Sequence, residues 1–178
     1  MNLYLLRHAS AGTRRANPLI DVKRPLDKEG KQQCILVAHV LNAMNVQFDV
    51  ILSSPLKRAL QTASFVGTEM GYDARIHTTS ALAPAATVAD FQKLVADCAK
   101  YENVLMVGHN PNITLFLASL IYPKGSRPAA SLRMRKATIA RINTDRQPNT
   151  LQWLLDMRLV RALYATSTIS SRRKTSRK

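Results

Sequence analysis

Three short apolar runs, Asn2 to Leu6, Phe48 to Ser53 and Asn103 to Val107, each stop abruptly at a polar cluster, and a segment of helical spacing follows each one. A β-prone run without polar alternation is buried on both faces, which is how a parallel strand covered by helices reads. Behind the first run, Asp27 opens a helix through about Asn45, with Ile35, Ala38 and Leu41 on one stripe and Asp27 available as N-cap. Behind the second, Pro55 to about Met70 reads as a helix with proline at its first position. Behind the third, Pro111 to Ile121 is a mostly apolar helix. Ala74 to Thr78 is a short strand candidate and Thr87 to Lys100 an amphipathic helix. Lys136 to Ile142 and Thr150 to Asp156 flank the polar turn NTDRQPN and predict an edge hairpin. Alternation of this kind implies an α/β fold with a mostly parallel sheet covered on both faces, where ligands meet the carboxyl ends of the strands.

A chain of 178 residues suits one well-buried domain. The expected division is a single domain over 1–160 and a basic tail over 161–178, read as a flexible terminus. The tail carries Arg172, Arg173, Lys174, Arg177 and Lys178, part of a net charge of +15 that attracts phosphate-bearing partners. No apolar run is long enough to span a membrane and the N-terminus lacks a signal-peptide pattern, so no membrane association is expected. Cys34 and Cys98 are far apart and in no paired motif, which fits core packing in a reducing cytoplasm.

The polar clusters carry the chemistry. Arg7-His8 follows the first run, Ser53-Ser54-Pro55 leading to Arg58 the second, and Gly108-His109-Asn110-Pro111 the third. In a parallel sheet these ends converge, so two histidines and two arginines share one crevice, a composition suited to gripping and attacking phosphate. Arginine offers permanently charged planar forks to the oxygens. A neutral histidine nitrogen can serve as nucleophile, kept unprotonated by neighbouring arginines, and a second histidine can donate to the transferring group. The helix starts behind Ser54-Pro55 and Asn110-Pro111 add backbone N–H groups and dipole to the positive field, and Gly108 allows close approach.

LLRHASA (Leu5 to Ala11), RPLDKEG (Arg24 to Gly30), SSPLKRALQTA (Ser53 to Ala63) and VGHNP (Val107 to Pro111) resemble, in order and spacing, the histidine phosphatase superfamily and especially its short phosphohistidine phosphatase branch. The resemblance spans about Met1 to Arg158. It implies a three-layer α/β/α sandwich of the phosphoglycerate mutase-like kind, His8 as phosphoacceptor, Arg7 and Arg58 as phosphate clamps, His109 as second catalytic histidine and Arg24 as an additional phosphate ligand. It implies hydrolysis through a phosphohistidine intermediate on His8; the sequence shows no metal-ligand cluster of histidines with carboxylates, so neither metal nor cofactor is expected. The expected partner is a phosphorylated histidine-containing protein, or else a small phosphorylated molecule. One departure matters. Larger members such as the phosphoglycerate mutases carry a glutamate general acid between the arginine and second-histidine motifs, whereas HTTSALAPAATVADF has no acid before Asp90. An imidazole leaving group needs less proton assistance than an alkoxide, so the missing acid points to labile phosphoryl groups.

Other residues read as background. Arg14, Arg15, Lys23 and Lys57 are surface charge that can steer anions, His39 and His77 are structural or exposed, and Ser10 either hydrogen-bonds locally or touches phosphate. Neither cysteine begins the Cys-x5-Arg loop of a cysteine phosphatase, and no GxxxxGK[ST] loop is present. A small-molecule phosphatase or mutase is the enzymatic alternative. A basic polyanion-binding module is the non-enzymatic one, disfavoured by the absence of a nucleic-acid motif and by an aromatic content of only 6%, too low for a stacking set.

Overall fold

The computed structural model describes residues 1–122 and 131–165. In chain order the elements are β1 (Asn2–Arg7), α1 (Pro18–Val22), α2 (Lys28–Ala43), β2 (Val50–Ser53), α3 (Lys57–Glu69) and β3 (His77–Thr78). They continue through α4 (Val88–Asp97), β4 (Asn103–Gly108), α5 (Asn112–Ile121), β5 (Ile139–Asn143) and β6 (Thr150–Leu155). A further helix, α6, spans 157–165, where the described residues end. The basic residues 172–178 lie outside the described residues.

The strands form one sheet in the order β3-β2-β4-β1-β5-β6. The first four are parallel, and β5 and β6 add the expected antiparallel hairpin at one edge. Alternating residues of each central strand feed opposite cores. Tyr4, Leu6, Ile51, Leu105 and Val107 pack against Cys34, Val37 and Leu41 of α2, Ala59, Ala63 and Val66 of α3, and Met157 and Val160 of α6. Leu3, Leu5, Leu52, Val104 and Met106 pack against Phe91 of α4 and Ile113, Phe116 and Leu117 of α5. Each fully buried leucine here stabilises the fold by about 2 kcal/mol relative to exposure. Helices on both faces make the three-layer α/β/α sandwich that the sequence predicts. Cys34 and Cys98 are free, buried and on opposite faces, and burial pushes the Cys34 thiol up to about 12.

Helix starts follow local chemistry. Asp27 caps α2 by accepting the Gly30 N–H, and Thr87 caps α4 in a reciprocal capping box with Asp90. Two expectations need adjustment. Pro55 precedes the N-cap Leu56 instead of occupying the first helical position, because Ser54 folds back to accept the Leu56 N–H and delays the helix. The segment before Arg24, where the sequence reading places no helix or strand, contains α1, capped by Asn17 and with proline in its first turn.

Candidate active site

The sheet brings the three polar clusters side by side. Arg7 lies opposite Gly108 in the β1–β4 register. The ladder then continues past the strand ends, with the His8 N–H on Gly108 O at 3.0 Å and the Ser54 N–H on Val107 O at 2.9 Å. Arg7, His8, Arg24, Arg58 and His109 all line one cleft of about 660 Å³. All five residues selected from the sequence therefore meet at the carboxyl ends of β1, β2 and β4. The N-cap residues Leu56 and Pro111 line it too, and neither helix has a side-chain cap, so the first-turn N–H groups of α3 and α5 add to its positive field.

His8 is 7% exposed and sits on a loop held from four directions. Thr62 Oγ1 on α3 accepts the Ala9 N–H at 3.0 Å, and Gln33 Oε1 on α2 accepts the Ser10 N–H at 2.9 Å. Asp27 Oδ2 accepts both the Ser10 hydroxyl and the Gly12 N–H. Gly30 lets α2 approach so closely that a Cβ there would run into the Ser10 carbonyl. Ser10 thus bonds locally, and the glycine, aspartate and threonine of the RPLDKEG and ALQTA motifs are the frame of the histidine loop.

The imidazole is poised as well as placed. His8 Nδ1 lies 2.8 Å from Ala9 O, and a carbonyl only accepts, so the proton resides on Nδ1 and Nε2 keeps its lone pair. Burial first, and then the charges of Arg58, Arg7 and Arg24, hold the His8 pKa at about 3 against the opposing pull of that hydrogen bond. His109 packs against His8 with ring centroids 5.0 Å apart. Its Nε2 shares a 2.8 Å hydrogen bond with Ser54 Oγ, and burial with the same cations lowers its pKa to about 2. His109 Nδ1, Arg7 Nε and Arg58 Nε are buried with no partner among the described residues. The two guanidinium N–H groups in that condition are donors that an anion with several oxygens would satisfy.

These two neutral histidines tie stability to pH. An unfolded histidine titrates near 6.5, so between 6.5 and about 3 the unfolded chain binds more protons than the folded one, and stability falls as pH drops through that window. Thermal unfolding from pH 7.5 to 4 in phosphate-free buffer is expected to show this loss, with a shallower slope for a His8→Gln, His109→Gln protein. Equal slopes would contradict the assignment.

Several residues at the cleft were not selected from the sequence. Asp21 on α1 is the sole carboxylate among its lining residues. It accepts from Arg24 Nε at 2.8 Å, from Arg58 Nη1 at 3.3 Å and from the Arg15 N–H at 2.9 Å. The hydrogen bond from Arg24 leads the effects that hold its pKa at about 2, so it stays ionised and cannot donate a proton near neutrality. Its position three residues before Arg24, inside a segment with a legible helix start, was the available signal. Lys136 enters from the turn before β5, with Nζ 3.4 Å from Ser10 Oγ. Met134 O in the same turn accepts from Arg7 Nη1 and Asn110 Nδ2, both at 2.9 Å. Arg14 and Arg15, read as surface charge, line the mouth, while Lys23 and Lys57 stay outside it. His39 and His77 are exposed. Asp90 is occupied by the α4 cap and does not line the cleft. Arg24 is tied down by more internal bonds than Arg7 or Arg58, to Ala11 O at 2.8 Å and Gly12 O at 3.2 Å as well as to Asp21.

Comparison with known proteins agrees with this geometry. Residues 3–86 match the family model of the histidine phosphatase superfamily, branch 1. An uncharacterised protein of Picosynechococcus sp. is 30% identical over 142 residues, which cover 78% of this chain and 82% of that protein. Among solved structures, the protein histidine phosphatase SixA complexed with tungstate superposes with a TM-score of 0.77 at 24% identity, covering 88% of this chain and 97% of that one. The Agrobacterium tumefaciens protein assigned as a phosphohistidine phosphatase SixA gives 0.72 at 25%, covering 87% and 97%. A mycobacterial glucosyl-3-phosphoglycerate phosphatase complexed with VO3 gives 0.66 at 21%, covering 85% and 97%. The chain belongs to the histidine phosphatase superfamily, in its SixA-type branch, and is a phosphatase.

Proposed function

We propose that this chain is a phosphohistidine phosphatase that removes the phosphoryl group from a histidine-phosphorylated protein in the cytoplasm. The observation that carries the reading is His8, buried beside two arginines and a second histidine, with its proton held on Ala9 O and Nε2 free. Nε2 attacks phosphorus while Arg7 and Arg58 hold the equatorial oxygens and His109 donates to one of them. The bond to the substrate imidazole breaks, and that imidazole leaves with a proton taken from solvent. Water then attacks phosphorus on His8, the N–P bond breaks, and phosphate departs with His8 restored. Arg24 supplies charge and holds Asp21, with a smaller direct share in binding. Free, buried cysteines fit a reducing compartment. The SixA structures support the substrate class, and the mycobacterial glucosyl-3-phosphoglycerate phosphatase supports the small-molecule alternative.

Among the described residues the cleft offers no carboxylic acid to protonate a poor leaving group, since Asp21 is ionised. Turnover of phosphohistidine or phosphoramidate, with chelator present, is therefore expected to exceed that of an unactivated alkyl phosphate by about 10²-fold or more, the usual worth of general acid catalysis. Comparable rates would refute the reading in favour of a general phosphomonoesterase. Asp21 also shares Arg24 and Arg58 with any bound phosphoryl group. Asp21→Asn is expected to tighten inhibition by vanadate or phosphate about tenfold, a change within the reach of one nearby charge. Weaker binding would mean that Asp21 chiefly orients the two arginines.

A further inference from the structure

The wall of the cleft formed by α1 has a composition that the fold does not explain. The helix is five residues long and buries none of them. Its apolar residues are open to solvent: Leu19 is 79% exposed, Ile20 56% and Val22 46%. What fixes α1 is polar, namely the Asn17 cap and the bonds from Asp21 to Arg24, Arg58 and the Arg15 N–H. Pro18, Asp21 and Val22 line the cleft, whereas Leu19 and Ile20 do not and stand on its outer side. Large apolar side chains grouped on a surface and attached to no core mark a contact site. Beside them, Arg14 and Arg15 are exposed on the same mouth, and the one carboxylate nearby is already paired. The rim is thus apolar at α1 and uniformly positive next to it.

We propose that Leu19 and Ile20, with Arg14 and Arg15, dock the polypeptide surrounding the phosphorylated histidine, and that they select a partner with acidic and aliphatic residues flanking it. The inference rests on the phosphohistidine reading. The phosphoryl group must descend to His8, which is 7% exposed, so the residues on either side of it come to lie across the rim. Acidic flanks meet Arg14 and Arg15, which speeds encounter and fixes orientation. Aliphatic flanks cover Leu19 and Ile20, removing apolar surface from water. A free phosphorylated small molecule has no flanks to cover Leu19 and Ile20.

The test uses peptides bearing a stable phosphohistidine analogue, one flanked by Glu and Leu and one by Lys and Ser, with phosphoramidate hydrolysis measured in parallel. The Glu/Leu peptide is expected to bind at least about tenfold tighter. Leu19→Ser with Ile20→Ser should cut that preference by about threefold or more, the charges of Arg14 and Arg15 sustaining the remainder, while kcat/KM on phosphoramidate stays unchanged, which also reports that the variant is folded. Equal binding of the two peptides to the wild-type protein overturns the docking proposal and leaves the chemistry standing, and so does an undiminished preference in the variant. Failure of the wild-type protein to hydrolyse phosphoramidate overturns the phosphohistidine reading and the docking with it.

Discussion

Replacing His8 by alanine is expected to lower kcat/KM on phosphohistidine by about 10⁴-fold or more, the scale seen when a covalent nucleophile is removed. Loss of phosphoenzyme should accompany it: acid-labile phosphate, trapped on the wild-type chain by rapid base quench, should be absent from the variant. The fold should survive. Among the described residues the His8 side chain makes a single hydrogen bond, to its own neighbour Ala9, and the loop that carries it is held by Thr62, Gln33 and Asp27 through backbone groups and Ser10. Tungstate affinity should fall far less than turnover, since Arg7, Arg58 and His109 remain. Full activity in the variant, or an undiminished phosphoenzyme, would place the nucleophile elsewhere.

Arg58→Ala is expected to reduce kcat/KM by about 10³-fold, and Arg58→Lys by about 10²-fold, because a lysine keeps the charge but loses the planar fork. The site gives a reason beyond charge. Arg58 is 7% exposed on the first turn of α3, and its Nη1 is braced by the Asp21 backbone carbonyl at 3.0 Å as well as by the carboxylate. The guanidinium is thereby fixed before any substrate arrives, and a shorter, single-headed ammonium cannot reproduce that bracing. Measuring vanadate inhibition with kcat separates the effects. Loss confined to KM would show that Arg58 binds ground and transition states alike, contrary to a role in stabilising the transferring group.

Much of this site was legible in sequence for a topological reason. Parallel strands ending in polar clusters must deliver them to one edge, so Arg7, His8, Arg58 and His109 could be grouped without coordinates. Arg24 was harder, since it arrives from a loop, and its placement rested on resemblance. Asp21, whose one signal was its spacing from Arg24, and Lys136 were harder still. One sits in a five-residue helix with no buried face, and the other in a turn preceding an edge hairpin, so neither element has the periodicity that marks strands and long helices. Asp21 becomes visible only when Arg24 and Arg58, separated by 34 positions, are seen to hold one carboxylate. The frame residues Asp27, Gly30 and Thr62 were present in the quoted motifs, but beyond the helix cap read for Asp27 they had no assigned task until the loop they support was seen.

The contact between Gly30 and the Ser10 carbonyl has a mechanical meaning. Two stretches of backbone meet there with no side chain between them to act as a cushion. The segment that bears the nucleophile and the first turn of α2 therefore move as one rigid body, and the aim of His8 is inherited from the seating of a sixteen-residue helix on the sheet. Anything that loosens α2 detunes the enzyme before it unfolds it, so activity should fade at a lower temperature than secondary structure does.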